Sequence, residues 1–271
     1  MKPADRTHSP RRSRARQPDA LFSLRDQVAL VTGGSMGLGF EIARTLSAAG
    51  ATVALLARDS RTCSRAAVKI QRETGARCVA LHADVADPER TRSAIASLEQ
   101  SAGAIDILVN SAGINIRGPI EDVSAADFAR VQEVNVTGTW LCCQAVVPGM
   151  KRRGYGRIVN IGSALSLCGL PGRTPYATSK GAVLNLTRCL AVELAQSGIT
   201  VNAVLPGFFA TDLNVALMKK PAVMRTLTAR IPMGRWGELH EIGAVALFLA
   251  SPAATYVTGA AIPVDGGWTA S

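Results

Sequence analysis

The sequence predicts a doubly wound α/β domain, a parallel sheet with helices on both faces. Three observations carry this. Short apolar, β-branched runs recur along the chain and are apolar at successive positions, as strands buried on both faces must be. Between most of them lie segments long enough for a helix. Glycine clusters at the first strand-to-helix turn, where a parallel sheet offers its ligand edge.

In chain order, "QVALVTG" (27–33) is the first strand and "LGFEIARTLSAAG" (38–50) a helix with a glycine stop. "TVALLAR" (52–58), "CVALHADV" (78–85), "IDILVNSAG" (105–113), "GRIVNIGS" (156–163), "ITVNAVLPG" (199–207) and "AIPVDGG" (261–267) complete the seven strands expected of one parallel sheet. Residues 124–150 and 174–197 read as the longest helical stretches. The interval 208–260 holds no strand. Its part at about 208–237 is irregular in pattern and is expected to be a substrate loop.

The 271 residues, 48% of them hydrophobic, suffice for one large core. No apolar run approaches the ~18–20 residues of a membrane span. Net charge is +10, and six Lys/Arg against two Asp lie in the first twenty residues. Residues 1–22 read as a disordered basic tail and 23–271 as one folded domain. The tail is either a nucleic-acid arm or a solvated extension. The second reading is preferred, because no nucleic-acid module follows. Cys63, Cys78, Cys142, Cys143, Cys168 and Cys189 show no CxxC spacing and read as small buried hydrophobes in a reducing, cytoplasmic compartment. Three histidines form no ligand pattern, so no metal site is expected.

"TGGSMGLG" (32–39) joins the first strand to the first helix. Gly33, Gly37 and Gly39 permit a tight turn and close backbone approach, and the helix N-terminus beyond them can receive a pyrophosphate. This Rossmann-type signal makes a dinucleotide the expected cofactor. Arg58, near the end of the second strand, favours NADP(H) over NAD(H), since a guanidinium pairs with a 2′-phosphate. Asp59 follows and could instead meet the ribose, while Arg58 could be a solvent-facing residue at a helix start. Asp84 ends "HADV" and could accept from the adenine amino group. Asn110, Ala112 and Gly113 in "NSAG" would let the cofactor lie close.

Tyr176 and Lys180 are four apart in a helical stretch and share a face. Ser163 closes the fifth strand on the same sheet edge. Ketone–alcohol interconversion needs a proton to move as hydride moves. A phenol with pKa ~10 is a poor base unless a nearby cation lowers that value, which Lys180 can do. Ser163 can donate to the substrate oxygen.

On "TGGSMGLG", "NSAG", Asn135, Ser163, Tyr176, Lys180, "PGFFAT" and "VDGG", the chain resembles the short-chain dehydrogenase/reductase family over residues 23–269. Within it, the chain is most like gluconate 5-dehydrogenase and 3-oxoacyl-carrier-protein reductase members. The resemblance implies a Ser163–Tyr176–Lys180 triad, with Asn135 holding a water in a proton relay and Lys180 also binding the nicotinamide ribose. It implies cofactor contacts from Ser35, Met36, Leu38 and Val85, and from Pro206, Gly207, the Phe209 backbone and the Thr211 hydroxyl. Ser111 stands where many members have a second asparagine, and Met36 where many NADP-dependent members have a basic residue. A homotetramer or homodimer is implied, without membrane or nucleic-acid partners.

The expected substrate is a small ketone or alcohol, a sugar acid or polyol first. A 3-oxoacyl thioester or hydrophobic ketone is the alternative, and a catalytically silent NAD(P)-binding regulator the alternative of another class. Arg117 reads as the partner of a substrate carboxylate or as a surface arginine, and Arg173 could serve similarly. Leu165, Leu167, Leu170, Phe208 and Leu213 read as an apolar pocket lining or as ordinary packing.

Overall fold

The computed structural model describes residues 18–211, 214 and 221–271. The basic stretch 1–17 and Leu213 lie outside the described residues. Seven strands form one parallel sheet: β1 (Val28–Thr32), β2 (Thr52–Ala57), β3 (Cys78–His82), β4 (Ile107–Asn110), β5 (Gly156–Ile161), β6 (Ile199–Pro206) and β7 (Ala261–Val264). Their spatial order is β3-β2-β1-β4-β5-β6-β7. Val31 pairs with Leu55 on one side and Val109 on the other. The order reverses between β1 and β4, so a crevice opens above the carboxyl ends of these two strands.

Alternation along each strand builds two cores. Ala29, Val31, Val53 and Leu55 face one side and pack with Ile42, Leu46, Ile70 and Leu249. These come from α2 (Gly37–Ala48), α3 (Ser60–Thr74) and, for Leu249, α9 (Leu239–Ala250). Val28, Leu30, Ala54, Leu56 and Leu108 face the other side and meet Leu98, Val146, Met150 and Leu194. Those residues lie on α4 (Pro88–Ala102), α6 (Gly138–Arg153) and α7 (Thr174–Leu194). Leu30, Leu55 and Leu56 are fully buried. Truncating one such leucine to alanine costs about 2–5 kcal/mol, so the sheet holds its ligand edge stiffly.

Several boundaries differ from the sequence reading. β4 stops at Asn110, because Ser111 and Ala112 leave the ladder and donate their N–H groups to Thr32 Oγ1, both at 3.1 Å. β3 is an edge strand whose residues are only partly buried. The stretch 124–150 is three pieces: α5 (Ala125–Gln132), a π-helical turn (Glu133–Thr137) and α6. Within the expected substrate loop, α8 (Pro221–Thr228) forms; at the end of the expected tail, a short helix α1 (Pro18–Phe22) starts on a proline suited to a helix's first position. Cys63, Cys142 and Cys143 are buried as expected, whereas Cys168 and Cys189 are exposed, and all six are free thiols. No described helix is long and apolar enough to cross a membrane.

Candidate active site

One cleft of about 610 Å³ lies along the carboxyl ends of the strands and collects most of the residues singled out above. At its centre is the β1–α2 turn. Gly33 has φ +64°, and a Cβ there would come within 2.8 Å of Ala112 Cα. A Cβ on Gly39 would overlap the Gly33 carbonyl oxygen. Glycine is therefore required at both positions for the turn to close against the β4 end. Met36 caps α2 without any side-chain hydrogen bond. No capping side chain closes the start of this helix, which lines the cleft, as a pyrophosphate site requires. Ser35, Met36, Gly37 and Leu38 line the same wall.

The far end of the cleft is polar. Asp59 lines the cleft beside Arg58. It caps α3, with Oδ1 accepting from Thr62 N–H at 2.6 Å, and this bonding holds its carboxyl below the usual range. Arg58 is exposed at the same end, its side chain 59% accessible and its guanidinium 4.0 Å from Asp84. Asp84 is held by the Ala86 N–H at 3.0 Å and by Arg130 at 3.2 Å. Arg130 comes from α5 and carries no sequence signal for this contact. Val85, Ala112 and Gly113 line the cleft between these groups and the centre.

Asn110 departs from expectation. Its side chain is buried behind the cleft lining and donates to Asn160 Oδ1 at 2.9 Å and to Cys143 Sγ. Asn160 in turn donates to Thr187 at 2.9 Å. This polar chain ties β4 to β5 and α7, which makes Asn110 a structural residue.

Ser163, Tyr176 and Lys180 converge on the cleft wall opposite the glycine turn. Ser163 sits just after β5, and its Oγ accepts from Leu165 N–H at 3.1 Å. Its side chain and the Tyr176 phenol line the same wall, and Ser163 draws the pKa of the phenol down. Ser166 Oγ donates to the Lys180 carbonyl at 2.8 Å, locking the Ser163 turn to α7. Lys180 Nζ donates to the Ile161 carbonyl at 2.7 Å and lies 5.6 Å from the Tyr176 ring centroid. Burial pushes the Lys180 ammonium down to about 8. Burial also raises the Tyr176 phenol above its ordinary value, while Ser163, Arg117 and Arg173 pull it back. Arg117 and Arg173 thus act on the phenol, and the Lys180 ammonium lies beside its ring.

Asn135 lies in the π-helical turn, fully buried. Its Oδ1 accepts from Ile114 N–H at 2.8 Å, and its Nδ2 donates to the Ile114 carbonyl at 3.0 Å and to Ser179 Oγ at 2.9 Å. Ser179 donates onward to the Tyr176 carbonyl at 2.7 Å. Both amide hydrogens are therefore committed, and the residue clamps the segment after β4 to the helix that carries Tyr176 and Lys180. Nothing in the sequence marked Thr32 or Ser179 for these supporting bonds.

Arg117 and Arg173 line the substrate end. Arg117 Nη2 donates to Asn214 Oδ1 at 3.1 Å, and Asn214 donates to the Phe209 carbonyl at 3.0 Å. Pro206, Gly207, Phe209 and Thr211 complete this side, with Phe208, Leu165, Leu170 and Trp268 as an apolar wall. Phe208 stacks edge-on against Trp268, centroids 5.3 Å apart. Leu167 is outside the wall and half exposed.

Residues 33–269 match the family model described as enoyl-(acyl carrier protein) reductase. Gluconate 5-dehydrogenase of Gluconobacter oxydans is 39% identical over 254 residues, covering 94% of this chain and 98% of the relative. Galactitol 2-dehydrogenase (L-tagatose-forming) of Cereibacter sphaeroides is 43% identical over 251 residues, covering 92% and 97%. Among solved structures, a gluconate 5-dehydrogenase from Burkholderia cenocepacia in complex with NADP and tartrate superimposes with a TM-score of 0.91 at 38% identity, covering 94% of this chain and 100% of that one. With likeness of this extent over a glycine-lined parallel sheet and a Ser–Tyr–Lys wall, the chain belongs to the short-chain dehydrogenase/reductase family of NAD(P)-dependent oxidoreductases acting on CH–OH groups.

Proposed function

We propose that the protein interconverts a ketone and a secondary alcohol on a sugar acid or polyol, with NADP(H) as hydride carrier and Tyr176 as proton donor and acceptor. The observation that carries this is the convergence of Ser163, Tyr176 and Lys180 on one cleft that also contains the glycine turn.

The residues present fit a dinucleotide. Gly33, Gly37 and Gly39 leave room for it, the uncapped start of α2 supplies N–H groups, and Arg58 supplies a guanidinium for a 2′-phosphate. Asp84, Val85, Ala112 and Gly113 would flank the adenosine half. Pro206, Gly207, Phe209 and Thr211 would flank the nicotinamide half, together with Tyr176 and Lys180. The bound nicotinamide supplies or accepts the hydride. NADP in the Burkholderia gluconate 5-dehydrogenase supports the same choice here.

In the reductive direction the phenol of Tyr176 holds its proton at neutral pH and donates it to the substrate oxygen. Ser163 accepts from Leu165 N–H, which leaves its own hydroxyl hydrogen free to hold that oxygen beside the phenol. Lys180, fixed by Ile161, brings its charge under the ring. Asn135 keeps the Ile114 and Ser179 segments in register; its main-chain carbonyl already accepts from Thr139 Oγ1 at 2.8 Å, so a relay water would have to use the second lone pair of Oδ1 or of that carbonyl. Arg117 would pair with a substrate carboxylate.

The sugar-acid and polyol reading draws support from the gluconate and galactitol dehydrogenases. The apolar wall of Leu165, Leu170, Phe208 and Trp268 favours a second reading, an oxoacyl thioester or hydrophobic ketone. A screen of NADPH consumption over 5-ketogluconate, other keto-sugar acids, acetoacetyl thioesters and hydrophobic ketones tests both. Higher kcat/KM on the keto-sugar acids supports the first reading, and higher values on thioesters overturn it. A cytoplasmic homotetramer or homodimer, with residues 1–22 dispensable for turnover, is part of the same proposal. Exposed Phe128, Trp140 and Val192 supply apolar surface for such assembly.

A further inference from the structure

Two arginines from different parts of the chain meet at the substrate end of the cleft. Arg117 lies in the segment after β4, and Arg173 stands at the N-cap position of α7, one turn before Tyr176. The two segments are tied together, Gly118 N–H donating to the Gly172 carbonyl at 3.3 Å. Both guanidiniums line the cleft, and their charges act on one another and on the Tyr176 phenol.

Arg117 has an anchor in Asn214. Arg173 is held differently. The hydrogen bond recorded for it is a long 3.4 Å contact to the carbonyl of its own neighbour, Gly172. Among the described residues no carboxylate pairs with it. The described acidic residues of the cleft, Asp59 and Asp84, sit at the Arg58 end and are engaged there. Half-buried and beside a second cation, Arg173 is pushed down to about 10, first by burial and then by Arg117. A guanidinium in that position is a costly arrangement unless an anion completes it.

We propose that Arg173 is a specificity-determining residue of the cleft, its guanidinium receiving, beside that of Arg117, an oxyanion group on the substrate. This rests on the dehydrogenase reading above and narrows it: the substrate is an anionic oxo or hydroxy compound, a sugar acid or sugar phosphate ahead of a neutral polyol. A planar fork of donors suits carboxylate and phosphate alike. With the anion at Arg173, one helical turn from Tyr176, the reacting carbonyl is set against the phenol and Ser163.

The test compares the full chain with Arg173→Gln and Arg173→Lys. The substrates are a keto-sugar acid, its uncharged amide and a ketose phosphate. In the wild type, kcat/KM for the charged compounds exceeds that for the amide. In Arg173→Gln the charged-to-uncharged ratio falls about 10- to 100-fold, carried by KM, and Arg173→Lys recovers part of it. Whichever charged compound has the higher kcat/KM identifies the oxyanion as carboxylate or phosphate. A ratio unchanged in Arg173→Gln overturns the inference, as does an equal loss of kcat on charged and uncharged compounds.

A second measurement is independent of turnover. Tartrate is titrated into the NADPH-loaded protein, followed by thermal shift. Saturable stabilisation in the wild type that disappears in Arg173→Gln supports the site; no stabilisation, or the same stabilisation in both, overturns it. Failure of the dehydrogenase reading would look different, since the wild type would then neither bind NADPH nor reduce any of the ketones.

Discussion

Lys180 donates its ammonium to the main-chain carbonyl of Ile161 at 2.7 Å, at the end of β5. This single hydrogen bond holds a buried cation beneath the Tyr176 ring, and burial draws its pKa down to about 8. The unfolded chain keeps this proton to about 10.4. Between those values the unfolded state binds more protons, so this group makes stability rise with pH across that window. At pH 7 the full cost of the buried charge is present.

Lys180→Met should therefore raise the stability of the cofactor-free protein at pH 7 by about 1–2 kcal/mol, the relieved desolvation exceeding the lost hydrogen bond. The advantage should shrink as pH rises from 8 towards 10. Turnover should fall by at least 100-fold. Urea unfolding at several pH values measures the first effect; a variant less stable than wild type at pH 7 would contradict it.

The two directions of reaction should differ in pH dependence. Reduction uses the protonated phenol, and the Tyr176 pKa is raised, so the acid form persists through neutrality. Oxidation uses the phenolate, whose fraction grows tenfold per pH unit below the pKa. We expect kcat/KM for alcohol oxidation to climb between pH 7 and 10, while that for ketone reduction does not. An oxidation profile flat over this range would remove Tyr176 as the base.

Arg58→Ala should weaken NADPH binding about 10- to 100-fold and leave NADH within a few-fold, because NADH carries no 2′-phosphate for the guanidinium to pair with. Fluorescence titration of both nucleotides gives the ratio. Equal losses for the two would show that Arg58 does not read the 2′-phosphate.

Asn135→Ala should destabilise the fold by about 2–4 kcal/mol, since it strands the Ile114 N–H and carbonyl and the Ser179 hydroxyl in a buried place. The midpoint of denaturant unfolding reads this directly. A change below 0.5 kcal/mol would mean that the π-helical turn holds without its amide.

The sequence exposed the sheet well, because strands buried on both faces are apolar throughout and end in glycine or small polar residues. The glycine turn was legible too: only one residue type meets the steric demand at Gly33 and Gly39. Asn110 misled because a polar residue at a strand end resembles a ligand contact, whereas its true partner, Asn160, lies on a strand fifty residues away. The Arg130–Asp84 contact joins α5 to the β3 end and has no local pattern. Asn135 was found as a residue type, but its π-helical backbone leaves no mark in hydrophobic periodicity. Lys180 beside Tyr176 was legible from the four-residue spacing, whereas the influence of Arg117 on the phenol was not, since Arg117 is brought there only by tertiary contact.

The most direct test of the central claim follows NADPH absorbance with wild type and Tyr176→Phe on 5-ketogluconate. We expect wild-type turnover and a loss of 100- to 10,000-fold in the variant, with NADPH affinity within a few-fold of wild type. Turnover that survives the loss of the phenol, or a wild type that binds NADPH but reduces no ketone, would contradict the assignment of Tyr176 as the proton donor.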